Sequence, residues 1–185
     1  NGFTSLMYDG SRKPLSQNID ETAAIAEMAH DAGISCEGEI GFVGYANGDN
    51  STGTDPDEAA RFARDSGVDA MAISCGNVHL QEDKQGGLDV ARIKAIEAVT
   101  ELPLVIHGGS GVPVAQRAQL AAESRICKFN IGTELRMAFG QALRAAVTAD
   151  ATRFDRVQIL RETADPVKAA AMRVISAFGA PDLRT

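Results

Sequence analysis

Short apolar runs alternate along the chain with longer segments whose apolar residues recur at helical spacing. The apolar runs predict five β-strands, at residues 3–9, 34–40, 69–75, 103–107 and 126–132. The intervening segments predict six helices, at residues 16–32, 55–67, 88–100, 112–124, 133–149 and 154–178. Because the strands are short and apolar throughout, we expect helices to cover both faces of a parallel sheet.

The start and stop signals of the first two helices support this alternation. Asp55 is a good N-cap residue, and Pro56 follows it at the first helical position. Gly33 and Gly67 stand where the first and second helices should end. The chain therefore predicts an α/β fold.

Two architectures fit this pattern, an open doubly wound sheet and an arc of a (β/α)8 TIM barrel. Each predicted strand carries a polar side chain at or just past its carboxyl end: Asp9, Glu39, His79, His107 and Asn130. Barrel active sites lie on that rim, whereas an open sheet concentrates its site at one switch point. The pattern favours the barrel. On this interpretation residues 1–185 are the C-terminal part of one barrel domain, about its last five βα units, and about three strands precede Asn1.

Charge and composition exclude some classes of partner. The net charge is −7 and no basic tract is present, so we expect no nucleic-acid binding. No apolar run reaches the roughly 18 residues that a membrane span requires, so we expect no membrane partner. A phosphorylated small molecule stays compatible with an acidic chain, because backbone amides can bind phosphate.

The cysteines predict the compartment. Cys36, Cys75 and Cys127 have no CxxC spacing, which favours small core residues over a metal cluster. Unpaired core thiols are typical of a reducing compartment. We therefore expect a cytoplasmic protein.

His79 and His107 are the candidate metal ligands, because they end consecutive predicted strands. Neutral imidazole is a common Zn²⁺ ligand, and Asp9 and Glu39 can add oxygen ligands or orient the imidazoles. The alternative is that each histidine is packed and bonded locally. His30 lies near a predicted helix end, where we expect a helix-terminal cation or a packed residue.

Two glycine-containing stretches on the same rim predict a phosphate site. "HGGSG" at 107–111 lets the backbone approach a ligand, and "NIGT" at 130–133 opens a predicted helix. The alternative is an ordinary turn and a simple N-cap. A metal beside a phosphate pocket fits polarisation of a carbonyl in a small sugar phosphate, with stabilisation of an enediolate.

Six motifs together resemble the class II, metal-dependent fructose-bisphosphate aldolase family, which includes tagatose-bisphosphate aldolases. They are GFTSLMYDGS, CEGEIG, TDPDEAARF, GVDAMAISCGNVH, LPLVIHGGSGVP and KFNIGTELRMAF. The resemblance implies a TIM barrel that forms homodimers or homotetramers. It also implies reversible cleavage of a ketose 1,6-bisphosphate, fructose 1,6-bisphosphate first, to dihydroxyacetone phosphate and glyceraldehyde 3-phosphate.

The resemblance carries site roles onto matching positions. It implies that His79 and His107 are two of three zinc ligands, and that zinc polarises the ketone. Asp9 and Glu39 match carboxylates that hold a second or alternative metal position. The implied substrate and phosphate contacts are Gly108, Gly109, Ser110, Asn130, Ile131, Gly132 and Thr133.

The sequence departs from the family pattern at three places. The family's third histidine ligand and its catalytic Asp lie upstream of Asn1. The loop "FVGYANGDN" has Asn47 near the expected proton-transferring Glu, and Asp49 is its one ionisable candidate. Leu80 stands where a Gly usually contacts phosphate and a monovalent cation.

Three hypotheses follow. The first is a zinc-dependent aldolase. The second is a catalytically altered sugar-phosphate-binding barrel of the same family, which the altered loop and Leu80 favour. The third, an open α/β phosphate-binding module without metal, leaves the two strand-end histidines unexplained.

Overall fold

The computed structural model describes residues 2–44, 48, 50–80 and 87–179. Its strands are β1 (Ser5–Tyr8), β2 (Ser35–Ile40), β3 (Ala70–Ile73), β4 (Leu104–Ile106) and β5 (Ile126–Phe129). Its helices are α1 (Leu15–Asp31), α2 (Pro56–Asp65), α3 (Val90–Glu97), α4 (Val114–Glu123), α5 (Thr133–Ala149) and α6 (Arg156–Ala177). The predicted alternation is therefore confirmed, with most elements shorter by one to three residues at their ends.

The described strands form one parallel sheet in the order β1-β2-β3-β4-β5. A doubly wound sheet reverses its strand order at a switch point, whereas a barrel adds strands consecutively. The α/β prediction is confirmed, and the consecutive order is that of an arc of a barrel.

The two faces of the sheet differ in chemistry because successive side chains of a strand point to opposite faces. One face packs into the apolar core with the helices, and in β2 to β4 it carries Cys36, Ile40, Met71, Ile73, Leu104 and Ile106. The other face carries Glu37 and Glu39 on β2, beside the small residues Ala70 and Ala72 of β3. Charged groups on this second face are therefore positioned by rigid strands and away from the helix layer.

The predicted helix signals act as expected. The Asp55 side chain accepts hydrogen bonds from the amides of Asp57 and Glu58, and Pro56 begins α2. Gly33 and Gly67 adopt positive φ values of 71° and 69° just past α1 and α2. These boundaries follow from local chemistry alone, so the sequence was sufficient to find them.

The chain divides into two compact units, Asn1–Asn130 and Ile131–Thr185. The first contains the sheet with α1 to α4, and in the second α5 packs against α6. Cys36 and Cys75 are buried as predicted, and Cys127 is exposed. Within the described ranges, no helix has the length and apolar character needed to cross a bilayer.

Candidate metal and substrate site

His107 lies directly after β4 and is 6% exposed. Its Nε2 lies 2.9 Å from Oε1 of Glu37, and its Nδ1 lies 2.9 Å from Oε2 of Glu39. Both carboxylates come from β2, two residues apart and therefore on one face of the strand. The imidazole is thus held between two buried carboxylates.

Lys128 on β5 extends this arrangement. Its Nζ lies 2.6 Å from Oε2 of Glu37, the carboxylate oxygen that His107 does not contact. We call Lys128, Glu37, His107 and Glu39 the rim cluster. Its members come from β2, from β5 and from the end of β4, so three strands fix its geometry.

The electrostatics of the rim cluster favour a charged imidazole in the protein without metal. Burial opposes charge on His107, but the hydrogen bonds to Glu37 and Glu39 outweigh it and raise its pKa to about 9. Burial acts against ionisation of Glu37, but the hydrogen bonds from His107 and Lys128 prevail and lower the pKa of that carboxyl. His107 and Glu37 therefore form a buried ion pair at neutral pH in the protein without metal.

Buried amides tie the surrounding backbone together. Asn77 donates from Nδ2 to the carbonyl of His107 at 2.9 Å, and its Oδ1 accepts from the amide of Cys75 at 2.7 Å. Asn18 on α1 donates to the carbonyl of Glu39 at 2.9 Å. These bonds fix the backbone at the carboxyl ends of β2, β3 and β4, where the site lies.

The two predicted histidine ligands lie close together. The ring centroids of His79 and His107 are 6.0 Å apart, with the planes tilted by 46°. Two imidazoles that share one tetrahedral zinc have ring centres about 5 Å apart, from Zn–N bonds of about 2 Å. The amide of His79 donates to the carbonyl of Gly44 at 2.8 Å, which links the turn after β3 to the segment after β2. The two imidazoles are therefore neighbours, and their rings must approach by about 1 Å to share one zinc.

Of the two predicted carboxylate ligands, only Glu39 contacts His107. Glu39 lies beside His107, whereas the exposed Asp9 carboxylate accepts hydrogen bonds from the amide and hydroxyl of Ser11 at 3.0 and 2.6 Å. Across the described ranges, no three His, Cys, Asp or Glu side chains cluster with metal-binding spacing. Asn47 and Asp49 lie outside the described residues.

The turn after His107 requires glycine at its first position. Gly108 has φ of 64°, and a Cβ there would lie 2.4 Å from the carbonyl oxygen of Val78. The amide of Gly109 donates to the carbonyl of Asn130 at 3.1 Å, and the amide of Asn130 donates to the carbonyl of Ile106 at 2.8 Å. The predicted Gly108–Ser110 contacts and Asn130 are thus brought together, and Ser110 is buried in the turn.

In the second unit, the start of α5 carries a cation, Arg136, that was not among the predicted site residues. Arg136 donates from Nη2 to the hydroxyl of Thr133 at 3.3 Å. Its Nη1 lies 3.0 Å from where a Cβ of Gly132 would be. Ile131 and Gly132 precede the helix directly. The guanidinium therefore lies against two of the predicted phosphate contacts.

Sequence reasoning also missed Glu37, Lys128 and Asn77. A signal for Glu37 was available, because it precedes Glu39 by two residues and so shares its face of β2. Lys128 was a charged residue within an apolar run, which also marks a functional or paired position. Asn77 had no comparable signal, because its role depends on a bond to a residue 30 positions away.

Leu80 adopts a backbone conformation that suits glycine. Its φ is 58°, the one positive value at a non-glycine residue within the described ranges. A left-handed conformation costs a residue with a Cβ about 1–2 kcal/mol. The departure found in the sequence thus falls on a strained position.

Comparisons with known proteins give concordant results. The family model described as "Fructose-bisphosphate aldolase class-II" matches residues 1–182. A fructose-bisphosphate aldolase of Geobacillus stearothermophilus is 34% identical over 182 residues, covering 96% of this chain and 63% of that protein. A 6-phospho-5-dehydro-2-deoxy-D-gluconate aldolase of Shouchella clausii is 36% identical, covering 97% of this chain and 62% of that protein.

A solved structure agrees with this result. The crystal structure of the YdjI aldolase from Escherichia coli K12 matches with a TM-score of 0.75 and 32% identity. The match covers 97% of this chain and 61% of the YdjI chain. The chain therefore spans less than two thirds of the length of these relatives.

Proposed function

The chain belongs to the class II fructose-bisphosphate aldolase family, and on this premise we propose that it is a zinc-dependent aldolase. The proposed reaction is reversible cleavage of a ketose 1,6-bisphosphate, fructose 1,6-bisphosphate first, to dihydroxyacetone phosphate and glyceraldehyde 3-phosphate. The observation that carries this proposal is the pairing of His79 and His107, with ring centroids 6.0 Å apart, beside the Glu39 carboxylate.

His79 and His107 are the proposed zinc ligands, and Glu39 is the nearest carboxylate for this or a second metal. Asp9 remains a proposed ligand for a second divalent or a monovalent cation, although its carboxylate is engaged with Ser11. Zinc bound at the histidines supplies a Lewis-acid charge that polarises a ketone carbonyl.

The residues around the glycine turn are the proposed substrate anchors. Gly108, Gly109 and Ser110 bring the backbone close to a ligand, and the amide of Gly109 is held against Asn130. Ile131, Gly132 and Thr133 are further proposed phosphate contacts, and Arg136 lies beside Gly132 and Thr133. Asp49 is the proposed ionisable group of the loop after β2, and the catalytic Asp of the family is expected upstream of Asn1.

The partners we propose are limited to a small sugar phosphate and further copies of the chain, as a homodimer or homotetramer. We expect neither nucleic acid nor membrane as a partner, because the chain is acidic and carries no long apolar segment. A cytoplasmic location is proposed from the unpaired thiols.

Chelation tests the metal requirement of the full-length protein. We expect removal of zinc to abolish cleavage of fructose 1,6-bisphosphate, measured as release of dihydroxyacetone phosphate, and zinc addition to restore it. Unchanged turnover after exhaustive chelation would reject the proposal. Tagatose 1,6-bisphosphate and 6-phospho-5-dehydro-2-deoxy-D-gluconate assayed in parallel identify the preferred substrate.

A second candidate is a sugar-phosphate-binding member of the family without turnover. The observation that favours it is the strained Leu80, together with a loop that lacks the expected Glu. Calorimetric binding of dihydroxyacetone phosphate to zinc-loaded protein with no cleavage of any of the three substrates would select this candidate.

A further inference from the structure

Building on the proposed metal-dependent function, we propose that Glu37, held by Lys128, is a positioning residue for His107. The Glu37 carboxylate accepts a hydrogen bond from Nε2–H of His107, which leaves Nδ1 as the nitrogen that binds the metal. Neither Glu37 nor Lys128 is a metal ligand in this proposal. They act through the orientation of the imidazole, as outer carboxylates do at many metal-binding histidines.

The first argument is that the two carboxylates at His107 are not equivalent. Glu37 contacts both Nε2 of His107 and Nζ of Lys128, at 2.9 and 2.6 Å, one partner for each carboxylate oxygen. Glu39 contacts Nδ1 at 2.9 Å and is itself a candidate metal ligand. Glu37 is therefore anchored independently of the imidazole, whereas Glu39 can exchange its nitrogen contact for a metal.

The second argument is that the contacts define the orientation of the ring. Both ring nitrogens face carboxylate oxygens at 2.9 Å. Turning the ring by 180° would place carbon atoms against both carboxylates and lose two hydrogen bonds in a buried site. The side chains of His107, Glu37 and Glu39 are 8%, 9% and 4% exposed, so water cannot readily replace those bonds.

The third argument comes from the sheet. Glu37 is on β2 and Lys128 is on β5, and the two strands are separated by β3 and β4. An ion pair across this distance needs both side chains on the same face, where the register places Ala70 beside Glu37 and Val105 beside Lys128. Lys128 is half-exposed while Glu37 is buried, so the lysine compensates the carboxylate charge without filling the site.

The test measures zinc affinity and ring geometry in the full-length protein. We expect Glu37→Gln to weaken zinc binding by about 10- to 100-fold, and Lys128→Met to weaken it by a smaller factor, about 3- to 10-fold. Affinity is measured by competition with a chromophoric chelator. Long-range ¹H–¹⁵N NMR of zinc-loaded protein should show His107 protonated at Nε2 with the metal at Nδ1. The Co²⁺ absorption spectrum should change in both variants.

Two controls separate a positioning role from general loss of structure. Asp69→Asn changes a carboxylate that also contacts a histidine, and Lys94→Met removes an exposed lysine of α3. Both should bind zinc like the wild type. Wild-type zinc affinity and an unchanged Co²⁺ spectrum in Glu37→Gln and Lys128→Met would overturn the inference, and so would metal bound at Nε2. Failure of the wild-type protein to bind zinc would instead reject the proposed function.

Discussion

Within the described residues, histidine–carboxylate contacts of equal length lie at opposite edges of the same sheet. At the carboxyl edge, His107 Nε2 lies 2.9 Å from Glu37, with side chains 8% and 9% exposed. At the amino edge, His30 Nε2 lies 2.9 Å from Asp69, with side chains 45% and 48% exposed. Distance alone therefore does not distinguish a site from a surface contact; burial and the number of charged partners do.

The physical consequence of this difference is large. An exposed ion pair is worth about 0–1 kcal/mol, because water screens it. Removing one partner of a buried pair costs about 3–5 kcal/mol, because a desolvated charge is left uncompensated. His30 fits the exposed class and lies in the last turn of α1. The rim cluster contains a buried pair with several charged partners, an arrangement that is common at metal and catalytic sites.

Removing the Glu37 or the Asp69 carboxylate should give the largest difference in stability between the two edges. We expect Glu37→Ala to lower the free energy of unfolding by about 3–5 kcal/mol, because it removes the buried carboxylate that both His107 and Lys128 contact. Asp69→Ala should cost about 1–2 kcal/mol, since it loses an exposed pair and the 2.8 Å bond from the Cys36 amide. Urea denaturation of metal-free protein at pH 7 measures both, and equal losses would contradict the comparison.

Two glycines with left-handed backbones provide a second contrast. Gly108→Ala should lower the free energy of unfolding by about 2–5 kcal/mol. The new Cβ would add backbone strain and would also lie 2.4 Å from the carbonyl oxygen of Val78. Gly33→Ala should cost only about 1–2 kcal/mol, because a Cβ there meets nothing within 4 Å. Thermal denaturation compares the two variants. A cost at Gly33 as large as at Gly108 would show that the turn after His107 is not tightly packed.

The pH dependence of stability should arise mainly at the buried edge. The folded-state pKa of His107, about 9, lies above its ordinary value of 6.5. Its stabilising contribution is therefore complete below about pH 6.5 and is lost as the pH rises through about 9, on the order of 3 kcal/mol. Urea midpoints of metal-free wild type should fall over this window, and those of His107→Gln should change much less. A parallel fall in both proteins would assign the effect to other groups.

Leu80 gives the smallest expected effect. Leu80→Gly should stabilise the protein by up to about 1 kcal/mol, because relief of the strain at φ 58° exceeds the added chain entropy. Thermal denaturation checks the gain, with Leu102→Gly as a control that should destabilise. A loss of stability in Leu80→Gly would show that the leucine side chain stabilises its turn.

The sequence was sufficient for those features that local chemistry determines. Asp55 and Pro56 mark the start of α2, and Gly33 and Gly67 follow the ends of α1 and α2. The short apolar runs form the strands of a parallel sheet. The prediction that His79 and His107 lie near each other also followed from strand order. These inferences need only backbone geometry and the rule that parallel strands share one carboxyl edge.

Long-range side-chain pairing was beyond the sequence. Glu37 and Lys128 are 91 residues apart, and their ion pair depends on the stagger of the sheet. Glu37 was also not predicted, because it lies within β2 rather than at its end, although its side chain still contacts His107. Asp9 shows the converse, because its rim position was predictable while its bonds to Ser11 depend on the side-chain rotamer.

The most direct test of the account compares zinc content and aldol cleavage in full-length wild type, His107→Ala and His30→Ala. We predict that His107→Ala loses bound zinc and cleavage of fructose 1,6-bisphosphate together, whereas His30→Ala keeps both. Zinc is counted by atomic emission after gel filtration, and circular dichroism confirms folding. Full zinc content and full cleavage in His107→Ala would contradict the central claim that the buried histidine at the carboxyl edge binds the catalytic metal.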